Sequence, residues 1–244
     1  MAGKAKRSVP VNLNGAEIMI TNASTDEKIM TAVGMIGYGS ERIAEGKTLL
    51  IDATAKKDTR VALSGAQLEA TAASKAAMNA AKEAFQSYSV LVKGEFKGKK
   101  ETLAVLGLDK PMPRTEASLI EAGKTLFANA ASHPEIKSGM LKYGYDDAKL
   151  AAEQAKVLAF EKANDQQKAA EGAAQNATED QTKSIARLND WVAQFRKAAK
   201  IALKNNKQLL EKLGIHARST KTKAQRGAPK KAAATRAAQR STTK

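Results

Sequence analysis

Two short lysine series are the residues of this chain best suited to chemistry, and the chemistry is anion binding. Lys93, Lys97 and Lys100 are spaced i, i+4, i+7, and Lys200, Lys204 and Lys207 repeat that spacing 107 positions later. On a continuous helix this spacing lines three ammonium groups up in one stripe. The functional reading is an anion-binding patch at each end of a helical rod. The structural reading is that cations in a last helical turn favour the macrodipole by ~0.3–1 kcal/mol each. A third cationic set closes the sequence: Arg218, Lys221, Lys223, Arg226, Lys230, Lys231, Arg236, Arg240 and Lys244, with no acid after Glu211 and no large apolar residue after Ile215. Such a segment buries too little surface to offset its ordering entropy, so it is expected to be disordered alone. Its cations can neutralise phosphates and release counterions, which gives salt-sensitive binding without base preference. The backbone of DNA or RNA is the expected partner. An acidic protein or membrane surface, or a solubilising role, is the alternative.

Other chemistry finds less support. "EGKT" (45–48) and "AGKT" (122–125) resemble the end of a phosphate-binding loop, but Glu41 and Ser118 stand where its first glycine belongs. There is no Cys, and the two histidines, His133 and His216, lack the Glu three residues before them that a four-helix carboxylate metal site uses. No Ser, Thr or Lys has an activating constellation. The chain is therefore expected to be non-enzymatic, without metal or cofactor. Trp191 and Phe195, with Phe85 and Tyr88, could stack on bases, but their near-helical spacing argues for a core.

The elements that must hold these cations are helical. Aromatics are only 4% of the residues and alanine is abundant, which suits helices packed through small side chains. The net charge of +16 is concentrated at the ends. The amino-terminal "MAGKAKRSVPVNLNG" carries basic residues without an apolar stretch behind them, so it does not read as a secretory signal. No uncharged apolar run approaches the ~18 residues of a membrane span, and a cytoplasmic location is the expectation.

Shifted by 107 positions, residues 18–108 align without a gap on 125–215, with 18 identities in 91 positions. Asn22-Ala23 falls on Asn129-Ala130, Gly37-Tyr38 on Gly144-Tyr145 and Gly65 on Gly172. Leu103, Leu106 and Gly107 fall on Leu210, Leu213 and Gly214. Within each copy a heptad-like seam recurs: Met78, Ala81, Phe85, Tyr88, Val92, and Ile185, Leu188, Val192, Phe195, Ala199. The pattern predicts one long helix per copy, 40–98 and 147–205, with a break near "LSGA" (63–66) and "EGAA" (171–174) as the rival. Eleven of the thirty residues at 55–84 are Ala, and small residues at a seam let two helix backbones approach closely.

Punctuation completes the reading. Ser24 with Glu27, and Ser132 with Glu135, look like capping boxes. Asn14 with Glu17 marks an earlier helix start, and Ser40 and Asp147 are candidate caps for the long helices. Gly107 and Gly214 are expected to stop a helix in the left-handed conformation. "LDKPMPRT" (108–115) reverses the chain. Short helices from the start of one copy should then lie near the end of the other, placing Tyr38 near Leu210 and Leu213, and Tyr145 near Leu103 and Leu106.

The pattern "YGYDDAKL … KIALKNNKQLLEKLGI" resembles a set of uncharacterised bacterial all-helical proteins with two such units, and the likeness covers about 18–215. It implies a helical rod or bundle and no known activity. The tail is similar in composition to linker-histone-like tails.

These readings add up to an all-α chain, a two-repeat elongated antiparallel bundle with long helices and a disordered basic tail. Its divisions are a basic disordered start (1–12), repeat one (13–108), a Pro-containing linker (109–115), repeat two (116–215) and the tail (216–244). The expected function is structural or architectural, with nucleic acid held nonspecifically through phosphates. The alternative is a scaffold or adaptor whose helical body binds a protein. Self-association through that body would raise the avidity of the tail.

Overall fold

The computed structural model describes residues 8–215, which contain eight helices and no strand. They are α1 (Val9–Thr25), α2 (Glu27–Gly34), α3 (Ser40–Glu95), α4 (Lys100–Val105), α5 (Glu116–Ser132), α6 (Pro134–Leu141), α7 (Asp147–Ala202) and α8 (Lys207–Lys212). Every boundary of the first four recurs 107 residues later in the last four. Both α3 and α7 have 56 residues, about 84 Å of helix at 1.5 Å per residue. Each runs unbroken through its central glycine, so the hairpin alternative does not apply. A Cβ on Gly65 or Gly172 would meet nothing within 4 Å, so neither glycine is a point of close backbone approach.

The described residues form two compact units, 8–54 with 184–215, and 55–183. Each unit joins the opening helices of one sequence copy to the closing helices of the other. In unit 1, α1, α2 and the start of α3 meet the end of α7 and α8 around Ile29, Tyr38, Leu188, Trp191, Phe195 and Leu213. Partners descend along α7 as they ascend along α3: Arg42 reaches Gln194, and Asp52 accepts from Ser184. The two segments are therefore antiparallel. In unit 2, α5, α6 and the start of α7 meet the end of α3 and α4 around Tyr88, Phe96, Leu106, Phe127, Met140 and Phe160. The heptad-like seam is the line along which these cores form. Tyr38 shares the unit 1 core with Leu210 and Leu213, and its ring packs edge-on to Phe195 at 5.3 Å. Tyr145 shares the unit 2 core with Leu106, and its ring lies 4.8 Å from Tyr88.

The turns use one device four times. Gly37, Gly107, Gly144 and Gly214 have φ of 88°, 68°, 78° and 69°, a region costly for a residue with a Cβ. After each, the next residue donates its N–H back across the turn: Tyr38 to Val33, Leu108 to Leu103, Tyr145 to Met140 and Ile215 to Leu210. This is the Schellman pattern, and all four donor residues are buried.

Several caps differ from the sequence reading. Helix α1 begins at Val9, with Pro10 in its first turn where a missing N–H costs nothing, so Asn14 and Glu17 are interior and residues 9–12 are ordered. Ser24 is in the last turn of α1 and donates to Thr21 O; Asp26 caps α2, accepting from the N–H groups of Lys28 and Ile29. Pro134 forces its predecessor out of the helical region, so His133 and not Ser132 precedes α6. Ser40 and Asp147 are first helical residues. The cap of α7 is Asp146, whose Oδ1 accepts from Lys149 N at 2.7 Å, and Gly39 precedes α3.

The recurrent Asn-Ala pair has a shared job. Asn22 Nδ2 donates to Lys212 O at 2.7 Å and Asn129 Nδ2 to Val105 O at 2.6 Å, each satisfying a free carbonyl at the end of a short helix. The adjacent Ala23 and Ala130 are fully buried, which lets the helices come close enough for the bond.

Two polar groups in unit 2 test the core. Glu153 is buried, which pushes its pKa up. Hydrogen bonds from Lys149 (2.8 Å) and Lys156 (2.7 Å) outweigh this and hold the carboxyl below its usual range. Tyr88 has no such help. Its hydroxyl is buried without a hydrogen-bond partner, and burial, then Tyr145, pushes its pKa up to about 12. Phe195 occupies the matching place in unit 1. Because the folded pKa exceeds the unfolded value of ~10, the neutral Tyr88 contributes stability that is fully present below pH ~10 and lost as pH rises toward 12. Tyr88→Phe is expected to leave the fold as stable or about 1 kcal/mol more stable at pH 7, since no hydrogen bond is lost. Its melting temperature should fall less than wild type between pH 9 and pH 11, as measured by circular dichroism.

Candidate nucleic-acid interface

The lysine series do not form helical stripes. Helix α3 stops at Glu95, the chain turns at Gly98 (φ 90°), and Phe96 folds into the unit 2 core. Lys93 is thus in the last turn of α3, Lys97 in the turn and Lys100 at the first position of α4. Lys200, Lys204 and Lys207 occupy the matching places around the turn from α7 to α8, where Leu203 is the buried residue. The i, i+4, i+7 expectation failed because it assumed one continuous helix.

The corrected geometry sharpens the choice between the two readings. A macrodipole role fits Lys93 and Lys200, each in a last turn. It does not fit Lys100 and Lys207, which stand at helix starts, where a cation is disfavoured. All six are exposed, and none of their side chains makes an ion pair or hydrogen bond among the described residues. Nearby lysines differ. Lys212 reaches Asp26 at 2.7 Å, and the hydrogen bond from Lys212 is the main cause that holds the Asp26 carboxyl below its usual value. Lys99 pairs with Glu135. The cations at the turns are therefore uncommitted, while their neighbours are tied to the fold.

Arg218, Lys221, Lys223, Arg226, Lys230, Lys231, Arg236, Arg240 and Lys244 lie outside the described residues, as does His216. The chain enters that segment from Ile215, which is buried in the unit 1 core directly after α8. Lys200, Lys204 and Lys207 belong to the same unit.

The remaining motifs settle into packing. The glycines of "EGKT" and "AGKT" lie inside α3 and α5. A Cβ on Gly46 would fall 2.5 Å from Trp191 Cη2, and one on Gly123 would fall 2.9 Å from Val157. Both are close-packing glycines. Trp191 stacks on Phe195 at 5.2 Å within the core, so neither ring offers a face to a base. His133 has its Nδ1 2.8 Å from Asn129 O, and no three His, Asp or Glu side chains converge among the described residues. No helix there is long and apolar enough to cross a membrane.

Sequence reasoning missed a cavity in unit 2 that Lys93 helps to line, together with Lys110 and Ser89. The one sequence cue was the paired prolines of the 108–115 connection, which cannot pack as a helix. No family model matches the chain, and the searches of curated proteins and of solved structures return no match either.

Proposed function

We propose that this is a non-enzymatic, structural nucleic-acid-binding protein that holds DNA or RNA through phosphates, without reading sequence. The observation behind the reading is the charge distribution at the end of the chain. From position 196 to position 244 there are fifteen Lys and Arg residues against the single acid Glu211. The exposed, unpaired Lys200, Lys204 and Lys207 form the folded edge of that series. Unit 1 would serve as the folded platform from which the cationic segment engages a backbone.

The test is binding to two unrelated duplexes and to a single strand, at 50 and 200 mM salt, for the full chain and a version ending at Ile215. The full chain is expected to bind all three similarly. It should lose roughly 10³-fold or more in affinity between the two salt concentrations if six or more phosphates are neutralised. The shortened chain should bind far more weakly, with a shallower salt slope. Equal affinity of the two versions, or strong preference for one duplex, overturns the reading. An adaptor role has its own support in α3, where Val61 and Leu68 are 58% and 72% exposed at a seven-residue spacing.

A further inference from the structure

We propose that the cavity in unit 2 between the end of α3, the connection after α4 and the first half of α5 is a binding site for a small carboxylate with an apolar body. Its volume is about 400 Å³, within the ~300–1,000 Å³ range of small-molecule sites. The site is separate from the cationic segment and does not rest on the nucleic-acid reading.

The walls are built, not incidental. Phe85 and Leu108 supply the apolar floor and are themselves part of the core. Pro111 and Pro113 form one side, and their fixed φ gives that wall a preset course without a backbone N–H. Ser89 also lines the cavity. Its hydroxyl already donates to Phe85 O, so it presents no unpaired donor.

Charge decides the ligand. Two lysines, Lys93 and Lys110, and one carboxylate residue, Glu121, line the cavity. Neither lysine makes an ion pair among the described residues. Lys124, three residues after Glu121 on α5, is itself paired with Glu161 at 2.9 Å and does not line the cavity, so the lining carries two cations against one anion. The balance favours an anion, and the apolar floor favours a hydrocarbon body behind it. One carboxylate at the lysines, with an aliphatic chain over Phe85 and Leu108, satisfies both.

The matching region of unit 1 shows why unit 2 has room. At the register of 107 residues, Ser89 corresponds to Arg196 and Ala122 to Gly15. A Cβ on Gly15 would lie 3.9 Å from Arg196 Nη2, so in unit 1 the arginine side chain extends across this region. Unit 2 has a serine there, and the volume an arginine would take is left to a ligand.

Isothermal titration of the full chain with octanoate, octylamine and octanol tests the proposal. Octanoate is expected to bind with one-to-one stoichiometry, at least tenfold more tightly than octylamine. Lys93→Gln with Lys110→Gln should weaken octanoate about tenfold or more while leaving octanol unchanged. Ala122→Leu, which fills the cavity, should weaken both. Lys97→Gln with Lys100→Gln, outside the cavity, should change neither. Octylamine binding as well as octanoate, no saturable octanoate binding, or octanoate binding indifferent to the Lys93/Lys110 change each overturns it. Indifference to Ala122→Leu does so too.

Discussion

Gly46→Val is expected to destabilise the protein by about 3 kcal/mol, at the upper end of the cost of overpacking a core. Gly46 sits in α3 directly beneath the indole of Trp191, and even a single Cβ would lie 2.5 Å from Cη2. The ring cannot easily retreat. Trp191 is 5% exposed, stacked on Phe195 at 5.2 Å and edge-on to Tyr38 at 6.0 Å. Removing the ring by Trp191→Ala should itself cost ~3–5 kcal/mol through the space it leaves. The double variant should cost clearly less than the sum, because valine then occupies part of the vacated volume. At the matching positions unit 2 has Glu153 and Ala84, a larger residue on one helix and a smaller one on the other. The two units thus solve the same volume problem in opposite ways. Urea unfolding of the three variants measures the coupling. Additive costs would show that the two positions are not in contact.

Cutting the chain in the 109–115 connection is expected to have a larger effect: neither part, as a monomer, should unfold cooperatively. Residues up to 108 retain Ile29, Tyr38 and Ile43 of the unit 1 core but lose Trp191, Phe195 and Leu213. They retain Tyr88 and Leu106 of the unit 2 core but lose Phe127, Met140 and Phe160. Each part therefore holds half of two cores and all of neither. Mixed in equal amounts, the parts should recover helical circular dichroism and a single sharp thermal transition. A cooperative transition in either part alone, shown to be monomeric by sedimentation, would refute the interleaved organisation.

How much of this was legible in the sequence follows from the range of each interaction. The seam residues could be read because a helix converts spacing into a face, and Phe85, Tyr88, Leu188 and Phe195 are all buried. Gly107 and Gly214 could be read because the left-handed region is a local property of one residue. Most caps came out one or two residues away, since Ser24 and Asp26, or Asp146 and Asp147, compete for one role and tertiary packing chooses. The start expected at Asn14 was six residues late, because Pro10 lets α1 begin at Val9. The lysine series misled because Gly98 and the anchoring of Phe96 end the helix between its members. Least legible were the partners of Asn22 and Asn129. Their repetition was visible, but the carbonyls that they satisfy belong to helices 190 and 24 residues away. The cavity depends on a volume difference between Ser89 and Arg196, which becomes meaningful only once both are placed against a neighbouring helix.

Four of the five left-handed glycines, Gly37, Gly107, Gly144 and Gly214, have a consequence for where the chain has slack. In most proteins a reversal between helices is the softest part, the first to open and the easiest for a protease to enter. Here the reversals at Gly37, Gly107 and Gly144 end on Tyr38, Leu108 and Tyr145, each sealed inside a core, and Ile215 after Gly214 is buried likewise. Opening such a corner means pulling an aromatic or aliphatic plug out of its socket. These corners therefore behave as rivets, and the give in the chain must be sought in the stretches between them.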